Sequence, residues 1–227
     1  MAIKGIVKIW DENQLILENI EFLRKKTRPV KFPLSDKSKA IIQDLTDSYK
    51  AIPCAGIAAN QIGYNESIFV GMARCDDEEE GKQVERMESE SEKYVNMENE
   101  FSENREIYIN PKIYKTNSKS TQNDTEGCLS VPDLTLDVLR YDKIKVRYRN
   151  LDGGVVKKPL KGFMSKLFQH ELDHLEGTLM LDLISRITDF SPNAGSRSHN
   201  KKIESLNISN SAAIVFHHLS HVKKRVV

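Results

Sequence analysis

Cysteine is scarce in this chain. Three thiols in 227 residues, Cys54, Cys75 and Cys128, make no disulfide framework and suit a reducing compartment. Long apolar runs are missing too. No stretch approaches the roughly 18–20 residues that cross a bilayer, so no membrane association is expected. The opening Met1-Ala2-Ile3-Lys4-Gly5 has no basic segment leading into an apolar core, and Asp11 and Glu12 come early. Neither a secretory signal nor an Arg-rich transit peptide is expected, which leaves the cytoplasm as the expected location. Net charge is nearly absent at +1, but it is unevenly placed. Residues 76–106 hold thirteen acidic and four basic side chains, while residues 194–227 hold six basic and one acidic. Neither block is a footprint of specific DNA binding.

What is present suits a soluble globular protein of one large or two small domains. The chain is 39% hydrophobic and 30% charged, with a mean hydropathy of −0.50. No internal repeat is visible.

Ile41, Leu45 and Tyr49 recur every four residues and predict an amphipathic helix over 35–50, capped by Ser35 or Asp36. A stretch rich in small residues follows, from Ala51 to Gly63. Ser67–Met72 and Glu106–Tyr114 read as strands. Between them, residues 75–105 are acidic and poor in aliphatics, an insertion that packs little. Residues 141–148 alternate, with Ile144, Val146 and Tyr148 on one face. Asp152-Gly153-Gly154 makes a turn into a return strand over 155–160. Phe163–Glu176 predicts a second helix, with Phe163, Leu167, His170 and His174 on one stripe and Gly177 as its stop. Residues 191–211 are Ser- and Asn-rich, and 214–226 has a helical pattern. Strands with a helix before and a helix after imply an α+β fold with mostly antiparallel sheets.

Chemistry concentrates at His170-Glu171-Leu172-Asp173-His174, an H-E-x-x-H motif. Residues four apart share a helix face, so both imidazoles can reach one metal ion. Glu171 adjoins the first of them, placed to take a proton from a metal-activated water. The bland reading is a surface helix with two histidines. The apolar stripe leading into them argues instead that they face inward, where imidazoles need partners. A third ligand is required. A metzincin-like metallopeptidase would have a His where Met180 stands, and a thermolysin-like one would use a downstream Glu such as Glu204. Cys128, in what reads as a Gly-containing turn within Glu126-Gly127-Cys128-Leu129-Ser130, is the better candidate as a thiolate. A lone Cys is otherwise an ordinary small buried hydrophobe.

Three segments together resemble the signature motifs of the peptide deformylase family. Cys54-Ala-Gly-Ile-Ala-Ala-Asn-Gln61 is similar to the first, Glu126–Ser130 reproduces the second and Gln169–His174 the third, in the family's order. The resemblance spans roughly residues 1–185. It implies an α+β domain with antiparallel sheets around a central H-E-x-x-H helix; residues 186–227, outside it, read from composition as a Ser- and Asn-rich linker and basic tail. It further implies that Cys128, His170 and His174 bind one divalent metal, Fe²⁺ in the cell, with Ni²⁺, Co²⁺ or Zn²⁺ possible in vitro. The implied reaction is hydrolysis of the formyl group from N-formylmethionyl nascent peptides. Glu171 is the implied general base, and Gln61 and the Leu129 N–H stabilise the oxyanion. Backbone at Ala55, Gly56, Gly127 and Leu129 would bind the peptide as an added strand. Phe163 and Leu167 fit either core or the wall of a methionine pocket. Glu126 is expected to pair with Arg140 and steady the Cys128 segment.

Two departures bear on activity. Cys54 stands where the family has Gly, and is strained there if the position needs positive φ. Thr135 stands where many bacterial members have a peptide-binding Arg. These departures motivate an alternative, a catalytically altered metal-binding relative, with an H-E-x-x-H metallopeptidase as the more distant one. Some bacterial family members dock at the ribosome through a C-terminal helix, so the resemblance implies a ribosome contact here through Lys223, Lys224 and Arg225, with a poorly ordered basic tail as the plainer reading. His217, His218 and His221 there read as a solvated tail rather than a second metal site.

Overall fold

The computed structural model describes residues 3–11, 14–75, 99 and 101–183. The acidic stretch 76–98, the segment holding Glu204, the 214–226 pattern and the tail histidines lie outside the described residues. The expected α+β architecture is present, and among the described residues every pairing of the named strands is antiparallel, with one isolated parallel bridge between Arg28 and Glu66.

Among the described residues the strands are β1 (Trp10–Asp11), β2 (Gln14–Leu15), β3 (Gly56–Ala58), β4 (Ile68–Met72), β5 (Arg105–Thr116), β6 (Thr121–Cys128), β7 (Val131–Tyr141), β8 (Lys143–Arg149) and β9 (Val155–Lys161). The helices are α1 (Leu17–Leu23), α2 (Asp36–Ala51) and α3 (Gly162–Glu176). Strands β3-β4-β5-β8-β9 form one sheet in that order, with β3 at its edge. Two hairpins, β1-β2 and β6-β7, stand apart from it.

The sheet is covered on both faces, which is why β4 is buried throughout. Ile68 and Val70 pack with Ile41, Leu45 and Tyr49 of α2. Phe69 points the other way, toward α3. There its ring stacks on Tyr108 at 4.3 Å between centroids, and Phe168 meets both edge-on at 5.4 and 5.6 Å. This aromatic trio seats α3 on the sheet. A third cluster joins α1 and the β6-β7 hairpin to the segment after α3, through Ile20, Leu23, Val131, Val138 and Met180.

The two long helices fall where the spacing predicts. Ser35 caps α2 by accepting the Ser38 N–H at 3.1 Å. Gly177 ends α3 in the left-handed conformation, φ 77°, and a Cβ there would lie 2.3 Å from the Arg24 carbonyl oxygen. The alternation in β8 also holds, with Ile144, Val146 and Tyr148 buried and the lysines and arginines between them exposed.

Other parts differ from the expectation. Helix α1 and strands β6 and β7 are not among the expected elements, and β6, Thr121–Cys128, carries no apolar period. Cys128 is not in a turn: it is the last residue of β6, paired opposite Val131, and the turn follows at Leu129–Ser130. Gly127 lies in β6, at a register shift between Glu126 and Cys128. The backbone ladder with β7 extends the strand through the motif, so the thiol sits at a strand end.

Candidate metal centre and adjoining pocket

Helix α3 runs between the main sheet and the β6-β7 hairpin. One turn of helix separates His170 from His174, so their rings project toward the hairpin end that carries Cys128. The two Nε2 atoms are 3.2 Å apart, and Cys128 Sγ is 3.4 Å from His174 Nε2. All three ligand atoms lie within 4.8 Å of one another. A tetrahedral ion with metal–nitrogen and metal–sulfur lengths near 2.05 and 2.3 Å would set them about 3.3 and 3.6 Å apart. The residues present therefore fit a divalent cation.

The electrostatics agree with that geometry. His170 Nδ1 lies 2.9 Å from Glu126 Oε2. A carboxylate can only accept, so Nδ1 carries a proton and Nε2 is the atom turned to the cluster. Burial works against charging His170, yet its contacts with Cys128 and Glu126 raise its pKa well above the ordinary value. Positive charge is favoured at this spot, and a bound cation would take the place of the Nε2 proton. Burial, with His170 alongside, brings His174 down to about 4, so it is neutral at pH 7, as a ligand must be.

Glu126 is itself held firmly. Arg140 Nε and Nη2 donate to its two oxygens at 2.8 and 2.9 Å, and Nη1 donates to Asp173 at 2.5 Å. The expected Glu126–Arg140 pair is present, and Asp173 extends it back onto α3. Burial pushes the Glu126 carboxyl up, but the Arg140 and His170 hydrogen bonds outweigh it and bring the pKa to about 2. Gln169 adds a further tie, accepting the Tyr141 N–H at 3.1 Å and donating to the Tyr141 carbonyl at 2.8 Å.

The first motif approaches from the sheet edge. Gln61 is buried in a 3-10 turn, Ala59–Ile62. Its Oε1 accepts the Ala58 N–H at 2.9 Å, so its Nε2 faces Cys128 Sγ at 3.8 Å and Ser130 Oγ at 3.4 Å. Asn60 donates to the His174 carbonyl at 2.6 Å. The N-terminal segment braces the same region, Val7 N–H donating to Gln61 O and Ile9 N–H to Ser130 O. Glu171 is buried against Gly56: a Cβ on Gly56 would fall 2.6 Å from Glu171 Oε1 and 2.8 Å from its carboxyl carbon. The glycine is needed there for close approach, not for its φ.

Beside the metal candidates is a pocket whose wall includes Ala55, Gly127, Phe163, Leu167, His170 and Glu171. Phe163 and Leu167 thus line a pocket as well as touching the core. Leu129 heads the turn after Cys128 and is half-buried. The Ala55 carbonyl accepts the Met72 N–H at 2.9 Å, so that group is engaged within the protein. Thr135 lies on β7, half-buried, and does not line the pocket. Cys54 is buried without a positive φ. Among the described non-glycine residues only Asn110 has one, so the Gly-to-Cys departure carries no backbone strain. Met180, the metzincin-like position, is buried in the apolar cluster around α1.

Sequence reasoning did not single out Asn60, Asp173 or Lys166, which also lines the pocket. Lys166 had a legible signal, since it precedes His170 by four residues on an otherwise apolar stripe.

Comparison with known proteins decides the family. A sequence model described as polypeptide deformylase matches residues 13–189. This chain belongs to the polypeptide deformylase family. The peptide deformylase of Elusimicrobium minutum is 33% identical over 183 residues, covering 80% of this chain and 88% of that one. The peptide deformylase of Novosphingobium aromaticivorans is 29% identical over 187 residues, covering 82% and 92%. Among solved structures, the peptide deformylase of Thermotoga maritima superposes with a TM-score of 0.57 at 26% identity, covering 81% of this chain and 98% of that one. Among the described residues, no helix is long and apolar enough to cross a membrane.

Proposed function

We propose that this chain is a metal-dependent peptide deformylase. It removes the formyl group from the N-terminal formylmethionine of newly made polypeptides by hydrolysis. The observation that carries this reading is the meeting of Cys128, His170 and His174 with Glu171 and Gln61 beside one pocket at the edge of the sheet. Cys128 Sγ and the two Nε2 atoms would hold the ion, with Fe²⁺ expected in the cell. When bound, such a cation supplies Lewis acidity, which polarises a carbonyl and makes a water acidic near neutral pH.

The chain's own residues do the rest. Glu171 takes a proton from the water that attacks the formyl carbon. It then passes that proton to the departing amine as the C–N bond breaks. The formyl oxygen gains negative charge, and Gln61 Nε2 and the Leu129 N–H donate to it. Gln61 arrives oriented, because Ala58 fixes its Oε1. Formate and a free N-terminal amine leave. Glu126 keeps His170 in one tautomer throughout. The peptide lies along the outer side of β3, an edge strand, with its first side chain in the pocket lined by Phe163 and Leu167. We assign the catalytic unit to residues 1–185 and place the enzyme in the cytoplasm.

The test is formate release from formyl-Met-Ala-Ser by nickel-loaded protein. Release that stops on removing the metal with a chelator and returns on adding it back is the expected result. No release from protein shown to hold its metal would end the proposal. A second expectation follows from the close approach at Gly56. Gly56→Ala is expected to lower kcat by about 10²-fold, because its methyl displaces the Glu171 carboxylate. Wild-type kcat in the folded, metal-loaded variant would show that Glu171 does not work from this position.

A further inference from the structure

Strand β8 lies between β5 and β9, and its two faces differ. Ile144, Val146 and Tyr148 are buried in the cluster that seats α3. The opposite face exposes a basic residue at every second position, from Lys143 to Arg149. The register carries this charge onto both neighbouring strands. Arg147 is set between Lys112 of β5 and Lys157 of β9. Lys145 lies opposite Lys115, and Lys143 lies opposite Lys161. All of these side chains are exposed. No acidic residue falls in these rows: the other exposed positions are Pro159, opposite Lys145, and Val155, opposite Arg149. Asp142 stands at one end, 4.0 Å from Lys143 and with Lys161 also acting on it. Among the described residues, Lys112, Lys115, Lys145, Arg147 and Lys157 have no ion pair.

Like charges directly opposite one another on neighbouring strands destabilise a sheet. This face holds four such pairs: Arg147 with Lys112 and with Lys157, Lys145 with Lys115, and Lys143 with Lys161. Lysine and proline on an edge strand guard it against further pairing, which accounts for β9. It does not account for β8, which is paired on both sides. A polyanion laid on the face would relieve the repulsion. We infer that this face is a binding surface for single-stranded RNA, which contacts it through backbone phosphates. Strands about 4.8 Å apart, rising about 3.4 Å per residue, spread the charges over about 10 by 14 Å. A duplex presents its phosphates on a stiff cylinder, whereas a single strand can follow a sheet and bring successive phosphates to successive rows. Tyr114, 50% exposed and next to Lys115, offers a ring on which a base can stack. An anionic membrane would call for an apolar wedge among the charges. The exposed aliphatic side chains of β8, β9 and their turn, Leu151 and Val155, sit at the turn end of the face. The metal candidates lie with α3 on the other side of β8, so this surface is separate from them.

The test is fluorescence anisotropy of a labelled single-stranded RNA of about 15 nucleotides with the full chain. The variant combines Lys145→Glu, Arg147→Glu and Lys161→Glu, which turns each of the four like-charge pairs into an opposite-charge pair. Its Kd for RNA is expected to rise by about tenfold or more at about 0.1 M salt. The slope of log Kd against log salt is expected to fall by about 2, from three phosphate contacts at about 0.7 each. Its Tm is expected to hold or rise, because the repulsion is gone. Weaker RNA binding with a retained Tm supports the inference. No RNA binding by wild type at about 50 mM salt overturns it. So does a variant that binds RNA within about twofold of wild type, which would move the contact to the basic residues of 194–227. Phosphatidylserine vesicles form the second arm. Tighter binding to vesicles than to RNA, lost in the variant, would make a membrane the occupant and overturn the RNA reading. Should the glutamate variant not fold, Lys145→Gln, Arg147→Gln and Lys161→Gln together remove the three charges and are read the same way.

Discussion

Replacing Glu171 with Gln is expected to lower kcat for formate release by about 10²–10⁴-fold while leaving bound metal unchanged. The amide has nearly the shape of the carboxylate, and residue 171 is 2% exposed in the middle of α3. The helix, the Gly56 contact and the three metal candidates should therefore persist. What is lost is a group that can accept a proton from water and give it to the amine. The measurement is single-substrate kinetics on formyl-Met-Ala-Ser, beside elemental analysis of the same preparation. A Glu171→Gln protein with full metal and near wild-type kcat would remove Glu171 from the mechanism. Loss of metal and activity together would mean that the residue supports the site rather than the chemistry.

Arg140→Met is expected to destabilise the metal-free protein by about 3–5 kcal/mol at neutral pH, because it leaves the buried Glu126 carboxylate without its main partner. It also cuts the Asp173 tie between β7 and α3. The effect has a pH signature. Glu126 titrates near 2 in the folded protein against an ordinary 4.5. A depressed carboxyl contributes stability that is fully present above about 4.5 and lost as pH falls toward about 2. That contribution is about 3 kcal/mol. The gap between wild type and Arg140→Met should therefore be widest near neutrality and narrow across this acid range. Urea unfolding at neutral pH and at about pH 3 checks it. Equal stability at neutral pH would show that Glu126 is sufficiently held by His170 alone.

These two expectations draw on different layers of information. Helices α2 and α3 are legible in the chain because a helix is encoded locally. Ile41, Leu45 and Tyr49 repeat within one window, and Ser35 and Gly177 mark ends with their own chemistry. The alternation in β8 is legible for the same reason. The register of His170, Glu171 and His174 follows from helical geometry alone. By contrast, β6 reads Thr-Gln-Asn-Asp-Thr-Glu-Gly-Cys and is mostly exposed. No apolar period marks it as a strand, and pairing with β7 is what makes it one.

Residue types and spacing by themselves determined the α+β class, the two long helices and the ligand triad as a candidate set, while the family was read from the resemblance of three motifs. The tertiary structure decided which of those residues meet and what restrains them. Cys128 reaches His174 across 46 positions of chain, and Gln61 reaches Cys128 across 67. The contact of Gly56 with Glu171, the tie from Arg140 to Asp173, and the seat of Lys166 in the pocket wall are contacts of the same kind. The physical reason is that periodicity and caps are properties of neighbouring residues. A contact across the fold depends on how the sheet, hairpin and helix close on one another, and no short window of sequence carries that information.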